Sequence, residues 1–216
     1  MKLVSIEQAR VMWLFSTLEI NPRGKYFMSV FAELIKRYSF SNVPNVIEAI
    51  RKNEGVILGQ GSYTHNEHGN VHAELGIYND GLVGDTRADT DVSEALLDDV
   101  LSWLKKDYSY EYPADIRKQY VSKIYVQLNK SINTVNPKLE KFQKALDKKT
   151  PYVGSLSFQV EGIQFASEQT GPFAPPHFRI ERMAKTPYDR NRYYSFAGLK
   201  TSDHLEMINL FEETLR

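Results

Sequence analysis

Cysteine is absent from the 216 residues. That excludes disulfides, thiolate nucleophiles and cysteine-ligated metals within the chain, and it fits a reducing compartment. Long apolar runs are missing too. Residues 1–20 hold a single short run, Val11-Met12-Trp13-Leu14-Phe15, approached through Glu7 and Arg10. It is too short and too polar for a secretory h-region, and no other stretch is long enough to span a bilayer. A soluble, cytoplasmic protein without a membrane partner is expected.

Recognisable catalytic motifs are lacking as well. No serine sits in a nucleophile elbow. Gly59-Gln60-Gly61 is followed by a strand pattern, so no helix N-terminus is offered to a phosphate. Asp80, Asp85, Asp89 and Asp91 do not match the D-x-D-x-D-G calcium loop. These gaps tilt the reading away from an enzyme and give no organic cofactor.

Net charge is also lacking: 27 basic residues balance 27 acidic ones. The balance is global, not local. Residues 51–112 carry 12 acids against 5 bases, and residues 113–200 carry 15 bases against 7 acids. Such asymmetry suits an anionic partner or association of an acidic face with a basic one. Spread over separate solvated faces, the same charges would be screened within about 8–10 Å.

What is present is ordinary globular material, 42% hydrophobic and 25% charged, enough for one α+β domain over residues 1–216. The hydrophobic periodicities give an order of roughly α-β-β-β-α-β-α-β-β-β-α, with mostly antiparallel meanders and helices packed on one face. Residues 10–20 read as a strand or as the end of a helix opened by Ser5. Residues 25–38 read as a helix with Phe27, Val30, Phe31, Leu34, Ile35 and Tyr38 on one stripe. Asn45 caps a short helix over 45–52. Thr90 or Asp91 caps a longer one, whose stripe is Leu96, Leu97, Val100, Leu101 and Leu104. Residues 121–128 and 153–160 alternate as strands. Asn136-Pro137 opens a helix with Leu139, Phe142 and Leu146 inward. Thr201 or Ser202 caps a final helix. A strand–strand–helix unit recurs at about 55–106 and 152–216, which suggests an internal duplication.

The first candidate site lies on a hairpin. With Gly69-Asn70 as a two-residue turn, Glu67 faces His72 and His65 faces Glu74. Side chains alternate along a strand, so His65, Glu67, His72 and Glu74 share one face. Imidazole and carboxylate suit a divalent metal, and a metal-dependent hydrolase would be centred there. The competing account is a wet hairpin face with cross-strand pairs worth about 0.2–1 kcal/mol each.

The second candidate is basic and aromatic. Arg179, Arg182, Lys185, Arg190, Arg192 and Lys200 interleave with Tyr188, Tyr193, Tyr194 and Phe196. Charge for phosphates and rings for bases suit nucleic acid. Tyr108, Tyr110 and Tyr112 would share one face if extended, ready for a base or a protein partner. The match P-x-x-P at Pro172 to Pro175 suits a polyproline groove or a plain connector. Three readings therefore stand. The leading one is a non-enzymatic binding or assembly protein that docks a protein partner or itself. The others are a nucleic-acid-binding protein using the basic aromatic C-terminal part, and the metal-dependent hydrolase.

Overall fold

The computed structural model describes residues 1–25, 27–52, 54–150, 157–168, 174 and 176–215. These form eight strands and six α-helices. The strand pairs with defined register are antiparallel, as the α+β class requires. Among the described residues no helix is long and apolar enough to cross a membrane. The chain divides into two compact units. The larger is Ile6–Ser122 with Gly198–Thr201; the smaller is Met1–Ser5, Lys123–Ala197 and Ser202–Arg216.

Most of β1 (Lys2–Leu14) belongs to the larger unit. The first element is thus a strand, one of the two alternatives open for residues 10–20, ahead of the roughly expected order. Its alternation shows why: Ala9, Val11 and Trp13 are buried while Arg10, Met12 and Leu14 are half-buried on the other face. Only Thr17–Ile20 (α1) is helical in the segment that follows. Next come α2 (Met28–Arg37), α3 (Val46–Arg51), β2 (Val56–His65), β3 (Gly69–Tyr78), β4 (Gly81–Thr86) and α4 (Thr90–Tyr108). The strand order is β2-β3-β4-β1-β5, with β5 (Arg117–Gln127) starting here.

The caps follow short-range chemistry. Asn45 Oδ1 accepts from Glu48 N at 3.2 Å to open α3, as read from the sequence. For α4 the cap is Asp89, whose Oδ1 accepts from Val92 N at 2.8 Å. This corrects the choice of Thr90 or Asp91. Thr90 is instead the first helical residue, and it exchanges hydrogen bonds with Thr201: each backbone N–H donates to the other's Oγ1, at 3.2 and 2.9 Å.

The core of this unit lies between one sheet face and the helices. Val11, Trp13, Val56, Leu58, Ala73, Leu75 and Leu82 meet Leu96, Leu97, Val100, Leu101 and Leu104 of α4 and Val30, Phe31 and Leu34 of α2. Each fully buried large aliphatic side chain contributes about 1.5–3 kcal/mol. Helix α4 comes unusually close to β4 at Gly84, where an added Cβ would lie 2.8 Å from Ser93 O. Ser93 Oγ also donates to Ala9 O at 2.7 Å, tying the helix to β1.

The β2–β3 register departs from the expected one. Ser62 faces His72 and His65 faces Gly69, so the turn is Asn66-Glu67-His68, not Gly69-Asn70. Gly69 has φ +66°. A three-residue loop closed by a left-handed glycine is a common hairpin solution, and it uses Gly69 as the closing residue, not as the first loop position.

The smaller unit runs from the second half of β5 through α5 (Leu139–Lys149), β6 (Gly162–Phe165), β7 (Phe178–Arg182), β8 (Arg192–Ala197) and α6 (Thr201–Thr214). Its strand order is β5-β8-β7-β6. Ile124, Val126, Ile132, Ile180, Tyr193, Ala197 and Ile208 are fully buried. Ile132 N donates to Tyr193 Oη at 3.1 Å, which satisfies both groups inside the core. Of the strand expected over 153–160, residues 153–156 lie outside the described residues. Residues 157–160 are not in a strand. In α5 the stripe expected to be inward is not buried, and Phe142 is 61% exposed.

Candidate nucleic-acid interface

Period-2 alternation sorts the smaller unit's sheet into two faces. Ile124, Val126, Ile180, Tyr193, Ser195 and Ala197 are buried on one. On the other, Lys123, Tyr125, Arg179, Glu181, Tyr194 and Phe196 are half-buried, and Gln164 and Arg192 are exposed. The registers place these side chains in rows. Gln164 faces Arg179, which faces Phe196; Glu181 faces Tyr194.

The rows are not flat. Lys123, Gln164, His177, Arg179, Tyr194 and Phe196 line a depression of about 290 Å³. The Tyr125 and Tyr194 ring centroids are 5.6 Å apart and tilted by 58°. The Arg179 guanidinium sits 5.6 Å from the Tyr194 ring centroid. Its Nε is 3.5 Å from Glu181 Oε2, at the outer limit of an ion pair, with both side chains about 40% exposed. Such an exposed pair is worth little and yields readily to a competing phosphate. Lys123, Arg179 and Arg192 outnumber Glu181 on this face, so it is positive.

The basic aromatic stretch read from the sequence is thus split by the pleat. Arg179, Arg192 and Tyr194 lie on the partly exposed face. Tyr193 is fully buried and bonded to Ile132 N. Arg182 ends β7 opposite Tyr193, and its guanidinium reaches the following loop: it lies 3.9 Å from the Tyr188 ring centroid and donates to Pro187 O at 3.1 Å. Arg190 closes the short 3-10 helix Tyr188–Arg190 and is exposed. Lys123 and Tyr125 were missed by the sequence reading. Their signal was available in the alternation of β5, but that β5 pairs with β8 was not.

Tyr108, Tyr110 and Tyr112 do not form a row. Tyr108 ends α4, Ser109 is left-handed at φ 54°, and Tyr110 is only 7% exposed. The Tyr112 hydroxyl donates to Asp98 Oδ1 at 2.8 Å, and burial together with that carboxylate pushes its pKa up to about 12.

The four hairpin residues are likewise dispersed. His72 Nε2 lies 3.9 Å from Glu74 Oε1. Glu67 is in the turn, where its N–H donates to His65 Nδ1 at 3.3 Å. The His65 ring packs on His68 at 5.3 Å, and His68 Nε2 is 3.4 Å from Asp89 Oδ2. Among the described residues no group of three or more His, Asp or Glu could hold a metal ion. The Pro172 and Pro175 of the P-x-x-P match lie outside the described residues.

Titratable groups also gather in the larger unit, in a cleft of about 320 Å³ lined by Trp13, Asp91, Glu94, Asp98, Tyr112, Lys118 and Lys200. Burial works to raise the Glu94 carboxyl, but hydrogen bonds and charge from Lys118 and Lys200 prevail and hold it below the usual range. Lys200 spans Asp91 and Glu94 at 3.1 and 3.4 Å. Lys118 and Lys200 thus partly offset the charge of Asp91, Glu94 and Asp98 in this cleft.

The geometry thus defines an α+β fold with a partly exposed, positively charged sheet face in its smaller unit. No family model matches the chain, and no curated protein matches it. Among solved structures it is similar to one described as "Methanococcus jannaschii TBP", at 13% identity and a TM-score of 0.46, covering 99% of this chain and 96% of that one.

Proposed function

We propose that this is a cytoplasmic nucleic-acid-binding protein that takes single strands on the partly exposed sheet face of its smaller unit. The observation that carries the reading is the combination on one face of stackable rings, Tyr125, Tyr194 and Phe196, with the cations Lys123, Arg179 and Arg192. Bases stack on aromatic faces with about 1–3 kcal/mol each regardless of sequence, while the cations release counterions from phosphates. Four-stranded sheets that bind RNA use their bare face this way. The duplication expected from the sequence stays part of this proposal. It is supported by two chain halves that each run strand, helical segments, three-strand meander, long helix, with strand orders β2-β3-β4-β1 and β6-β7-β8-β5.

The test is fluorescence anisotropy with labelled 12-mer RNA and DNA single strands at about 50 and 200 mM salt. Affinity should fall several-fold with salt, and Tyr194→Ala should weaken it by about tenfold at both concentrations. Arg179→Ala should weaken binding and flatten the salt slope by about one. Absence of binding at low salt, or binding indifferent to both substitutions, refutes the reading.

A second reading, docking of a protein partner or of another copy, has its own observation. Leu18, Ile47, Ile50 and Ile57 of the larger unit are 79%, 53%, 42% and 52% exposed. Sedimentation of the protein at low and high salt separates the two: a monomer at both, up to high concentration, leaves no self-association.

A further inference from the structure

The depression of about 290 Å³ in the smaller unit is organised on one cross-strand row. Gln164, Arg179 and Phe196 face one another across β6, β7 and β8. His177, the residue before β7, joins the lining, as do Lys123 of β5 and Tyr194 of β8. The volume lies at the lower edge of the about 300–1,000 Å³ typical of small-molecule sites. It has room for one nucleotide and not for a run of them, so a strand fills it with a single residue.

The charge of the hollow is one-sided. Among the described residues no acid lines it, while Lys123 and Arg179 are fixed cations and His177 adds imidazole nitrogens. Lys123 forms no salt bridge among the described residues, and Arg179 forms only the long contact to Glu181 at 3.5 Å. An internal phosphodiester brings a single negative charge to these two cations. A phosphomonoester brings about −1.5 to −2 near neutral pH and three strong acceptor oxygens. In an unmodified strand such a group occurs only at a phosphorylated end. Arginine meets phosphate with paired N–H donors, and charge-assisted bonds of this kind are about twice as strong as neutral ones. Tyr194 and Phe196, on the same lining, offer faces to the attached base. Gln164 is exposed opposite Arg179, and its amide both donates and accepts. Every base edge presents complementary groups to such an amide, so the hollow suits an end of any sequence.

We propose that this depression takes the phosphorylated terminal nucleotide of a single strand, with the phosphomonoester accepting from Lys123 and Arg179 and the base lying against Tyr194 or Phe196. The inference rests on the nucleic-acid reading and adds the strand end as the feature recognised.

The test is anisotropy of the full chain with one 12-mer RNA, labelled internally and carrying a 5′-phosphate, a 3′-phosphate or hydroxyls at both ends. At about 50 mM salt, one phosphate-ended strand should bind about tenfold more tightly than the hydroxyl-ended strand. Lys123→Ala and Arg179→Ala, each at a partly exposed position, should each reduce that ratio to about twofold. Free adenosine monophosphate should displace the strand only at about a hundredfold higher concentration or more, because it lacks the stacking and phosphate contacts of the remaining residues. Equal affinity for the three strands overturns the proposal and leaves the nucleic-acid reading standing. Binding of none of them overturns both. A phosphate preference that survives both substitutions overturns the assignment to this hollow. Displacement by the free nucleotide at strand concentrations makes the hollow a mononucleotide site and overturns the strand-end assignment.

Discussion

His204 offers the sharpest quantitative check on the smaller unit's core. It is fully buried on α6, with its ring edge-on to Phe178 at 5.6 Å. Ser195 Oγ donates to Arg179 O at 2.8 Å, so the 2.8 Å contact between Ser195 Oγ and His204 Nε2 must use an imidazole N–H. That assigns the Nε2–H tautomer and leaves Nδ1 as a bare acceptor, with no partner among the described residues. Protonating Nδ1 would bury a charge and an unmet donor, and burial accordingly lowers the pKa from 6.5 to about 4. The unfolded chain takes up this proton near pH 6.5 and the folded chain near pH 4, so acid favours unfolding across that window. Stability from this group is fully present above pH 6.5 and falls by about 3 kcal/mol as pH drops to 4, from 1.36 kcal/mol per pKa unit. His204→Leu removes the titration while the Ser195 hydroxyl keeps its bond to Arg179 O. Urea unfolding of both proteins at half-unit steps from pH 7 to 4 cancels the carboxylates they share. The stability difference between them should shift by about 3 kcal/mol in favour of the variant, or about 1–2 M in midpoint at ordinary slopes. A difference that stays flat across the window, or an NMR titration of His204 near 6.5, refutes the tautomer argument.

Two further substitutions test the packing. Gly84→Ala places a methyl 2.8 Å from Ser93 O, so α4 must move off β4; chemical denaturation should show a loss of about 1–3 kcal/mol. Tyr193→Phe strands the buried Ile132 N–H and should cost about 1–3 kcal/mol while leaving oligonucleotide affinity unchanged, the reverse of Tyr194→Ala, which should lower affinity with little effect on stability.

Local rules carried the sequence reading as far as they reach. Asn45 as the cap of α3 and the stripe of Leu96, Leu97, Val100, Leu101 and Leu104 depend on neighbours within a few residues, and the structure contains both. Where two local solutions were nearly equal in energy, tertiary contacts chose. Gly69 suits either a two- or a three-residue loop. The three-residue form sets Ala73 and Leu75 into the core opposite Gly61 and Leu58, and in doing so it scatters His65, Glu67, His72 and Glu74. Residues 10–20 could be a strand or the end of a helix until β4 offered a register partner for Ala9 to Leu14. The candidate interface shows the same division. Alternation alone puts Arg179 and Glu181 on one side of β7 and Ile180 on the other. That Tyr194, not Tyr193, stands beside Arg179 and Tyr125 follows from strand pairings tens of residues apart in the chain. The half-open pocket of about 430 Å³ in the larger unit was invisible to any periodicity, because its lining belongs to the assembly of α1 to α4 and the sheet and to no one segment.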